Sequence, residues 1–225
     1  MRSLWFCLFF LVISAQLLSQ DDLPFANEVK MLSEKKDFES QEGLYLFVGS
    51  SSIRFWLTLK EDYPDYNVIN RGFGGSTFED LINFKEELIF AYQPCKVFIY
   101  EGDNDIFKGE KVDDIIFSAK SIASEIKERL PETQIYFLAA KPSVARWDKR
   151  ALYKEFNYTL QSWASFEDDV HFIDVWTPMC DKTGQVMGDL FIGDNLHMNS
   201  KGYDIWKQVI TPYVEEIEVM CRVTD

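Results

Sequence analysis

The sequence predicts an α/β fold with three layers, α/β/α, in which helices cover both faces of a five-stranded parallel, flavodoxin-like sheet. Two observations predict it: short, almost fully apolar segments recur along the chain, and longer amphipathic segments separate them. Strands that are buried on both faces form continuous apolar runs, and a crossover helix between two strands makes them parallel. Repetition of this unit along the chain favours the doubly wound arrangement.

The individual elements follow from these two patterns. The segments with the composition of buried strands are residues 44–48, 66–69, 96–100, 134–139 and 170–175. Helices are expected at residues 25–38, after Ser51, and at residues 78–91, 112–129, 149–164 and 200–216. Because no internal repeat, low-complexity segment or linker interrupts the pattern, residues 21–225 are predicted to form one domain.

The first 20 residues have the layout of a secretory signal peptide. Arg2 precedes a continuous apolar run at residues 4–12, which weakens towards residue 18 and is followed by polar sequence. A transmembrane helix needs about 20 apolar residues, so the run is short for a membrane span. We therefore expect an exported protein, secreted or periplasmic, without stable membrane association after cleavage. An uncleaved N-terminal membrane anchor is the alternative.

Charge and cysteine content restrict the partners. The net charge of −14 repels phosphate backbones and anionic lipids, which argues against nucleic-acid binding. After signal cleavage Cys95, Cys180 and Cys221 remain. Three cysteines can form at most one disulfide with one another. None of the three has metal-ligand spacing with a histidine, so neither a metal nor a cofactor is expected.

Only one of the two histidines lies in a polar loop. His171 lies within an apolar strand and is interpreted as a strand residue. His197 lies in the loop at residues 193–200, three residues after Asp194. At this spacing a carboxylate can accept a hydrogen bond from the imidazole and orient it as a general base. The alternative is an Asx turn leading into the last helix, with Ser200 as its cap.

A candidate nucleophile follows the first predicted strand. Gly49 permits a sharp turn, and Ser50, Ser51 and Ser52 begin the next helix. A serine at such a junction exposes its hydroxyl at the sheet edge, where the helix N-terminus favours negative charge. Position alone does not distinguish the three serines. The alternative is that they merely cap the helix.

Two further loops carry candidate donors for a developing oxyanion. The loop at residues 70–75 is rich in glycine, so its backbone N–H groups can approach a ligand closely. The loop at residues 101–105 contains Asn104, whose side chain offers an amide. Acyl transfer requires such preorganised donors. Taken alone, either loop is equally well explained as a turn.

In their order along the chain, these four features resemble the SGNH, or GDSL-like, hydrolases. The resemblance extends from about residue 44 to the last helix. Gly49-Ser50-Ser51 is similar to the Gly-Asp-Ser block of that family, which implies that Ser51 is the nucleophile. Ser50 replaces the usual aspartate, which is not a member of the catalytic triad. The resemblance therefore implies intact chemistry with altered hydrogen bonding in this turn.

The resemblance also implies the roles of the other site residues. His197 would be the general base and Asp194 its partner. The Ser51 N–H, the Gly74 N–H and the Asn104 side chain would form the oxyanion hole. The implied enzyme is a serine esterase that forms an acyl-enzyme on Ser51 and uses neither metal nor cofactor.

The substrate is less well defined by the sequence. A small-molecule or carbohydrate ester is expected, with a short acyl group, because the sequence contains no long apolar lid segment. Trp56, Phe73 and Trp147 lie near the functional loops and either line a pocket or pack within the fold. The basic loop at residues 141–150 is interpreted as solvated, with binding of an anionic leaving group as the alternative. A non-catalytic glycan-binding module on the same fold is the alternative function.

Overall fold

The computed structural model describes residues 23–35, 37 and 40–216. Within this part of the chain, five strands form a parallel sheet in the order β2-β1-β3-β4-β5. The strands are β1 (Tyr45–Gly49), β2 (Val68–Gly72), β3 (Lys96–Tyr100), β4 (Gln134–Leu138) and β5 (Val170–Ile173). This order is that of a flavodoxin-like sheet, so the predicted fold class is confirmed.

Helices connect the strands and cover the sheet. They are α1 (Ala26–Ser33), α2 (Ser51–Arg54), α3 (Leu59–Asp62), α4 (Phe78–Asn83), α5 (Asp103–Lys108), α6 (Val112–Arg129), α7 (Arg150–Ala164) and α8 (Ser200–Glu215). Among these helices, none is both long enough and apolar enough to cross a membrane.

A row of stacked rings crosses one face of the sheet. Phe47, Phe98, Tyr136 and His171 are register partners on four adjacent strands. Their consecutive ring centroids are 4.3, 4.7 and 4.7 Å apart. Tyr213 of α8 contacts the row, with its ring centroid 5.8 Å from that of Tyr136. Helix α8 therefore covers this face.

The opposite face packs against a different set of helices. Successive strand residues point to opposite faces, so Phe137 on β4 faces away from the row that contains its neighbour Tyr136. The ring of Phe137 lies 6.2 Å from that of Phe78 on α4 and 6.0 Å from that of Trp163 on α7. Helix α6 contacts both α4 and α7. Helices on both faces of the sheet complete the three layers.

The second strand lies later in the chain than predicted. The apolar pattern predicts it at residues 66–69, whereas the structure has it at Val68–Gly72. The difference arises because Arg71 is fully buried within the strand. Its guanidinium is paired with Asp37 at 2.6 Å and donates to the Tyr92 hydroxyl at 2.7 Å. A buried charge with such partners is compatible with a strand but interrupts the apolar run.

Two predicted helices are shorter than expected. The helix predicted at residues 25–38 ends at Ser33 in the structure, and residues 36 and 38 lie outside the described part. The helix predicted at residues 78–91 ends at Asn83 and is followed by a π-helical turn at Glu86–Phe90.

The cysteines differ in state. Cys95 is disulfide-bonded, whereas Cys180 carries a free thiol and is therefore not its partner. The structure thus answers in part the question of disulfide formation that the sequence left open. Cys221 and the predicted signal peptide at residues 1–20 lie outside the described residues.

Candidate active site

The turn after β1 presents Ser51 at the carboxyl edge of the sheet. Gly49, the last residue of β1, has a φ of 126°, and a side chain there would collide with the backbone carbonyl of Tyr100 on β3. Glycine is therefore required at this position. Ser50 follows and is buried, whereas Ser51 begins α2 and is half-buried.

The loop before α8 brings a histidine to this serine. The Ser51 Oγ lies 3.0 Å from His197 Nε2, and His197 Nδ1 lies 2.6 Å from Asp194 Oδ2. The ring of Phe55 meets the imidazole edge-on, with a centroid separation of 5.0 Å. The structure thus joins the three residues in a Ser–His–Asp chain of hydrogen bonds, and among the three adjacent serines this bond is made by Ser51.

The hydrogen bonds to Asp194 determine which imidazole nitrogen carries the proton. Partial burial opposes ionisation of Asp194, but hydrogen bonds from the His197 side chain and from two backbone N–H groups lower the pKa of the carboxyl to about 2. Those N–H groups belong to Leu196 and His197, and each donates to Oδ1 at 2.9 Å. An ionised carboxylate only accepts hydrogen bonds, so Nδ1 must donate. The lone pair of Nε2 is then directed at Ser51.

The local fold of this loop explains how the carboxylate reaches the ring. Asn195 adopts the left-handed conformation with a φ of 59°, and its N–H donates to the Ile192 carbonyl at 2.9 Å. Asn199 caps α8, a role that the sequence suggested for Ser200. Asp194 does form an Asx turn, through Leu196 N–H. The turn and the contact with the imidazole are therefore compatible, because they use different carboxylate oxygens.

Gly74, which is predicted to donate to the oxyanion, has an N–H that is bonded to a side chain of α1. It is buried, and its N–H donates to Glu28 Oε2 at 3.1 Å. Glu28 lies on α1 and also pairs with Arg54 Nε at 3.1 Å. The ring of Phe25 fills the space that a side chain on Gly74 would occupy. In this arrangement the Gly74 N–H is already engaged by Glu28.

The neighbouring glycine is open to the site. Gly75 is exposed, and within the described residues its N–H takes part in no hydrogen bond. A Cβ added to Gly75 would lie 3.9 Å from Asn104 Nδ2. This residue of the glycine-rich loop therefore lies beside the side-chain amide of Asn104.

The amide of Asn104 is held at both ends. Its Nδ2 donates to the Ser76 carbonyl at 2.9 Å, and its Oδ1 accepts from Arg146 Nη2 at 3.0 Å. The Ser76 hydroxyl in turn donates to Glu101 Oε1 at 2.6 Å. Burial, followed by the nearby charge of Asp105, raises the pKa of Glu101 well above its usual value. Burial thus disfavours the charged form of Glu101 beneath the loop.

A buried ionic cluster lies directly behind Asn104. Asp103 is paired with Arg146 Nη1 at 2.5 Å and with Lys141 Nζ at 3.3 Å. The hydroxyls of Tyr100 and Tyr153 each donate to this carboxylate at 2.7 Å. Burial alone would raise the pKa of Asp103, but the two cations and the two hydroxyls hold it well below its usual value. The carboxylate remains charged inside the fold because every oxygen is compensated.

This cluster corrects in part the interpretation of the loop at residues 141–150 as solvated, because two of its four basic residues are buried. Lys141 is 1% exposed and Arg146 is 8% exposed. The two cations are buried because Asp103, on the adjacent loop, neutralises them. Sequence reasoning did not identify Arg146 as part of the site. The available signal was an acidic residue beside Asn104 and a basic loop after the next strand, which meet at the same edge of the sheet.

The remaining candidates have structural positions. His171 lies in β5, where Nε2 is 2.8 Å from Gln134 Oε1, so it is a strand residue as interpreted. Trp56 and Phe73 are buried in the core. Trp147 stacks on Trp176 with a centroid separation of 5.9 Å. None of these four side chains contributes to the Ser–His–Asp chain.

Chemically, the arrangement offers a hydroxyl hydrogen-bonded to a base, together with a fixed amide donor on a neighbouring loop. Those elements suit proton transfer from Ser51 and stabilisation of negative charge nearby. In the described ranges, no three His, Cys, Asp or Glu side chains are grouped in a way that would hold a metal ion.

Comparison with known proteins agrees with this chemistry. Residues 49–205 match the GDSL-like Lipase/Acylhydrolase family. No curated protein sequence matches the chain. A solved structure from Streptococcus pneumonia, described as a platelet activating factor, is similar with a TM-score of 0.72 at 22% identity, over 84% of this chain and 90% of that chain.

Two further solved structures have similar folds. A GDSL-like lipase from Bacteroides thetaiotaomicron gives a TM-score of 0.70 at 19% identity, over 85% of this chain and 96% of its own. An acetyl-xylooligosaccharide esterase from Geobacillus Stearmophilus gives 0.64 at 19% identity, over 80% of this chain and 97% of its own. At these identities the likeness concerns the fold. The family match, which covers more than half of the sequence, shows that the chain belongs to the GDSL-like lipase/acylhydrolase family of serine ester hydrolases.

Proposed function

We propose that the protein hydrolyses carboxylic esters through an acyl-enzyme on Ser51, with His197 as general base and Asp194 as its partner. The observation that carries the proposal is the pair of contacts at 3.0 Å between Ser51 Oγ and His197 Nε2 and at 2.6 Å between His197 Nδ1 and Asp194 Oδ2. This is the geometry of an activated nucleophile whose base is oriented by a third group.

In the first step, Ser51 Oγ attacks the ester carbonyl carbon and its proton passes to His197 Nε2. The carbonyl oxygen then carries a negative charge. When the tetrahedral intermediate collapses, His197 returns the proton to the departing alcohol oxygen. Water then attacks the acyl-enzyme and gives a proton to His197. His197 passes this proton to Ser51 Oγ as the acid is released, which regenerates the Ser51 hydroxyl. Asp194 stabilises the imidazolium in both steps.

The oxyanion hole of the proposal consists of the Ser51 N–H, the Asn104 side chain and the N–H of a loop glycine. We assign the last of these to Gly75 in place of Gly74. The Gly74 N–H is buried against Glu28, whereas Gly75 is exposed beside the amide of Asn104. A preorganised donor must be free to meet the charge as it develops.

For the substrate, we propose a small-molecule or carbohydrate ester with a short acyl group, such as an acetyl ester. One protein of similar fold is described as an acetyl-xylooligosaccharide esterase, which supports a carbohydrate ester as a candidate. Phe55, in edge contact with His197, is 40% exposed and offers an aromatic surface beside the nucleophile.

We also propose that the protein is exported, with residues 1–20 as its signal peptide, and that it does not associate stably with membranes or bind nucleic acid. The disulfide of Cys95 supports export, since such bonds form and persist in oxidising compartments. The net charge of −14 is unfavourable for binding nucleic acid.

Ser51→Ala is expected to lower kcat for p-nitrophenyl acetate by roughly 10⁴- to 10⁶-fold, because the attacking oxygen is lost. Ser52→Ala is the matched control. This substitution removes a hydroxyl from the adjacent position and leaves the hydrogen bond between Ser51 and His197 intact. The Ser52→Ala variant should therefore retain most of the activity. Wild-type turnover in Ser51→Ala would refute the nucleophile, and equal losses in both variants would point to damage of the turn. Circular dichroism verifies that both variants fold.

The acyl preference is tested with p-nitrophenyl esters of two to sixteen carbons. We expect kcat/KM to be highest for acetate and to fall as the chain lengthens, because a short acyl group is proposed to occupy the site. A maximum at long chains would contradict the proposed substrate class without affecting the proposed nucleophile.

The pH dependence of kcat/KM should show that Asp194 is ionised throughout the range in which the protein is assayed. Because the pKa of Asp194 is lowered to about 2, its carboxylate is present at all pH values above that and is lost only below it. Between pH 4 and 9, titration of Asp194 should therefore make no contribution to the pH dependence of kcat/KM.

Asp194→Asn should lower kcat by about 10³- to 10⁴-fold, because the imidazole loses both its orientation and its counter-charge. Asp189→Asn is the matched control, since Asp189 is an exposed carboxylate that pairs with Lys201. Equal activities in the two variants would exclude the assigned role of Asp194.

A further inference from the structure

We infer that Arg146 is a positioning residue for the ester hydrolysis: it orients and polarises the Asn104 amide so that one Nδ2 hydrogen is presented to the oxyanion. The inference rests on the proposed function, because it concerns a donor of the proposed oxyanion hole. The residue was not identified by sequence reasoning.

The first support is that the hydrogen bonds of Asn104 permit only one orientation of its amide. Arg146 Nη2 lies 3.0 Å from Oδ1, and the Ser76 carbonyl oxygen lies 2.9 Å from Nδ2. A guanidinium only donates and a carbonyl only accepts. A flipped amide would therefore place its NH₂ against the guanidinium donor and its oxygen against the carbonyl acceptor. Of the two Nδ2 hydrogens, one is used by Ser76. The other is left for a ligand.

The second support is that Arg146 itself is fixed. Its Nη1 contacts both Asp103 Oδ1, at 2.5 Å, and the Asp103 backbone carbonyl, at 3.1 Å. The guanidinium carbon also lies 4.2 Å from the centroid of the Phe107 ring. One side of the planar group thus binds Asp103 and the other binds Asn104, the next residue in the chain. A buried fork with two such partners has little freedom to move.

The chemical consequence concerns the transition state. A positive charge at Oδ1 draws electron density from the amide, which makes the free Nδ2–H a stronger donor. This gain is largest when the substrate oxygen carries a full negative charge, and it is small for the neutral carbonyl. Such an interaction affects kcat more than KM.

Loss of Arg146 could also act by another route, because the Ala145 N–H donates to the Asn195 carbonyl at 3.0 Å and so connects this loop to the turn that holds His197. Arg146→Lys separates the two routes. A lysine keeps a positive charge beside Asp103, but its single nitrogen cannot replace both arms of the guanidinium.

The test is a double-mutant cycle with Arg146→Lys and Asn104→Ala on p-nitrophenyl acetate. Asn104→Ala should lower kcat by about 10²- to 10³-fold, and Arg146→Lys by roughly 10- to 100-fold, with KM changed less than about threefold. In the Asn104→Ala background, Arg146→Lys should cost less than about threefold more, because its effect passes through the missing amide. Arg150→Lys, which changes an exposed arginine at the start of α7, is the matched control and should match the wild type.

A wild-type kcat in Arg146→Lys would overturn the inference, and so would losses that multiply in the double variant, since these would indicate an effect independent of Asn104. Failure of the proposed function has a different signature, namely no ester turnover by the wild type or full turnover by Ser51→Ala.

A readout without turnover tests the inference in either case. The side-chain amide resonances of Asn104 in a ¹H–¹⁵N spectrum are identified by their loss in Asn104→Ala. They should shift in Arg146→Lys and stay in place in Arg150→Lys. Resonances that do not move in Arg146→Lys would overturn the inference.

Discussion

The hydrogen bond between Ser51 Oγ and His197 Nε2 joins the turn after the first strand to the loop before the last helix. A contact of 3.0 Å between residues so distant in the chain depends on where the sheet places them. In a parallel sheet all strands point the same way, so the loops at their carboxyl ends meet at one edge. A row of rings crosses four of these strands, and α8, which follows the loop of His197, packs on that row through Tyr213. Core packing thereby determines the geometry of the site.

Below the carboxyl edge of the sheet, buried polar groups also hold residues of the site in position. Asp103 is charged and buried, and it is stabilised because Lys141 and Arg146 are buried with it and the hydroxyls of Tyr100 and Tyr153 donate to it. Moving or removing one partner of such a cluster leaves an uncompensated buried charge, which is costly. The cluster is therefore held rigidly in one arrangement. Rigidity matters here because an oxyanion donor is effective only if it is held in place before the charge develops. We propose that the cluster beside Asn104 holds its amide in place in this way.

Much of the architecture could be predicted from the sequence, because buried parallel strands and amphipathic helices leave distinct periodic patterns. The site residues at strand ends could be predicted for the same reason. The position of β2 could not, because Arg71 interrupts its apolar pattern and its partner Asp37 is distant in the chain. The burial of Arg146 depends likewise on a partner from another loop. The distinction between Gly74 and Gly75 depends on the hydrogen bond that Glu28 of α1 accepts from Gly74, and residue spacing does not encode such a contact.

We propose Ser51 as a nucleophile that is activated by His197. Covalent labelling of the folded protein with a fluorophosphonate probe, followed by peptide mapping by mass spectrometry, tests this role most directly. We expect a single adduct on Ser51 that is strongly reduced in His197→Ala. A folded protein that remains unlabelled would contradict the proposed nucleophile and favour a glycan-binding module on the same fold. Labelling at a different residue would contradict it as well.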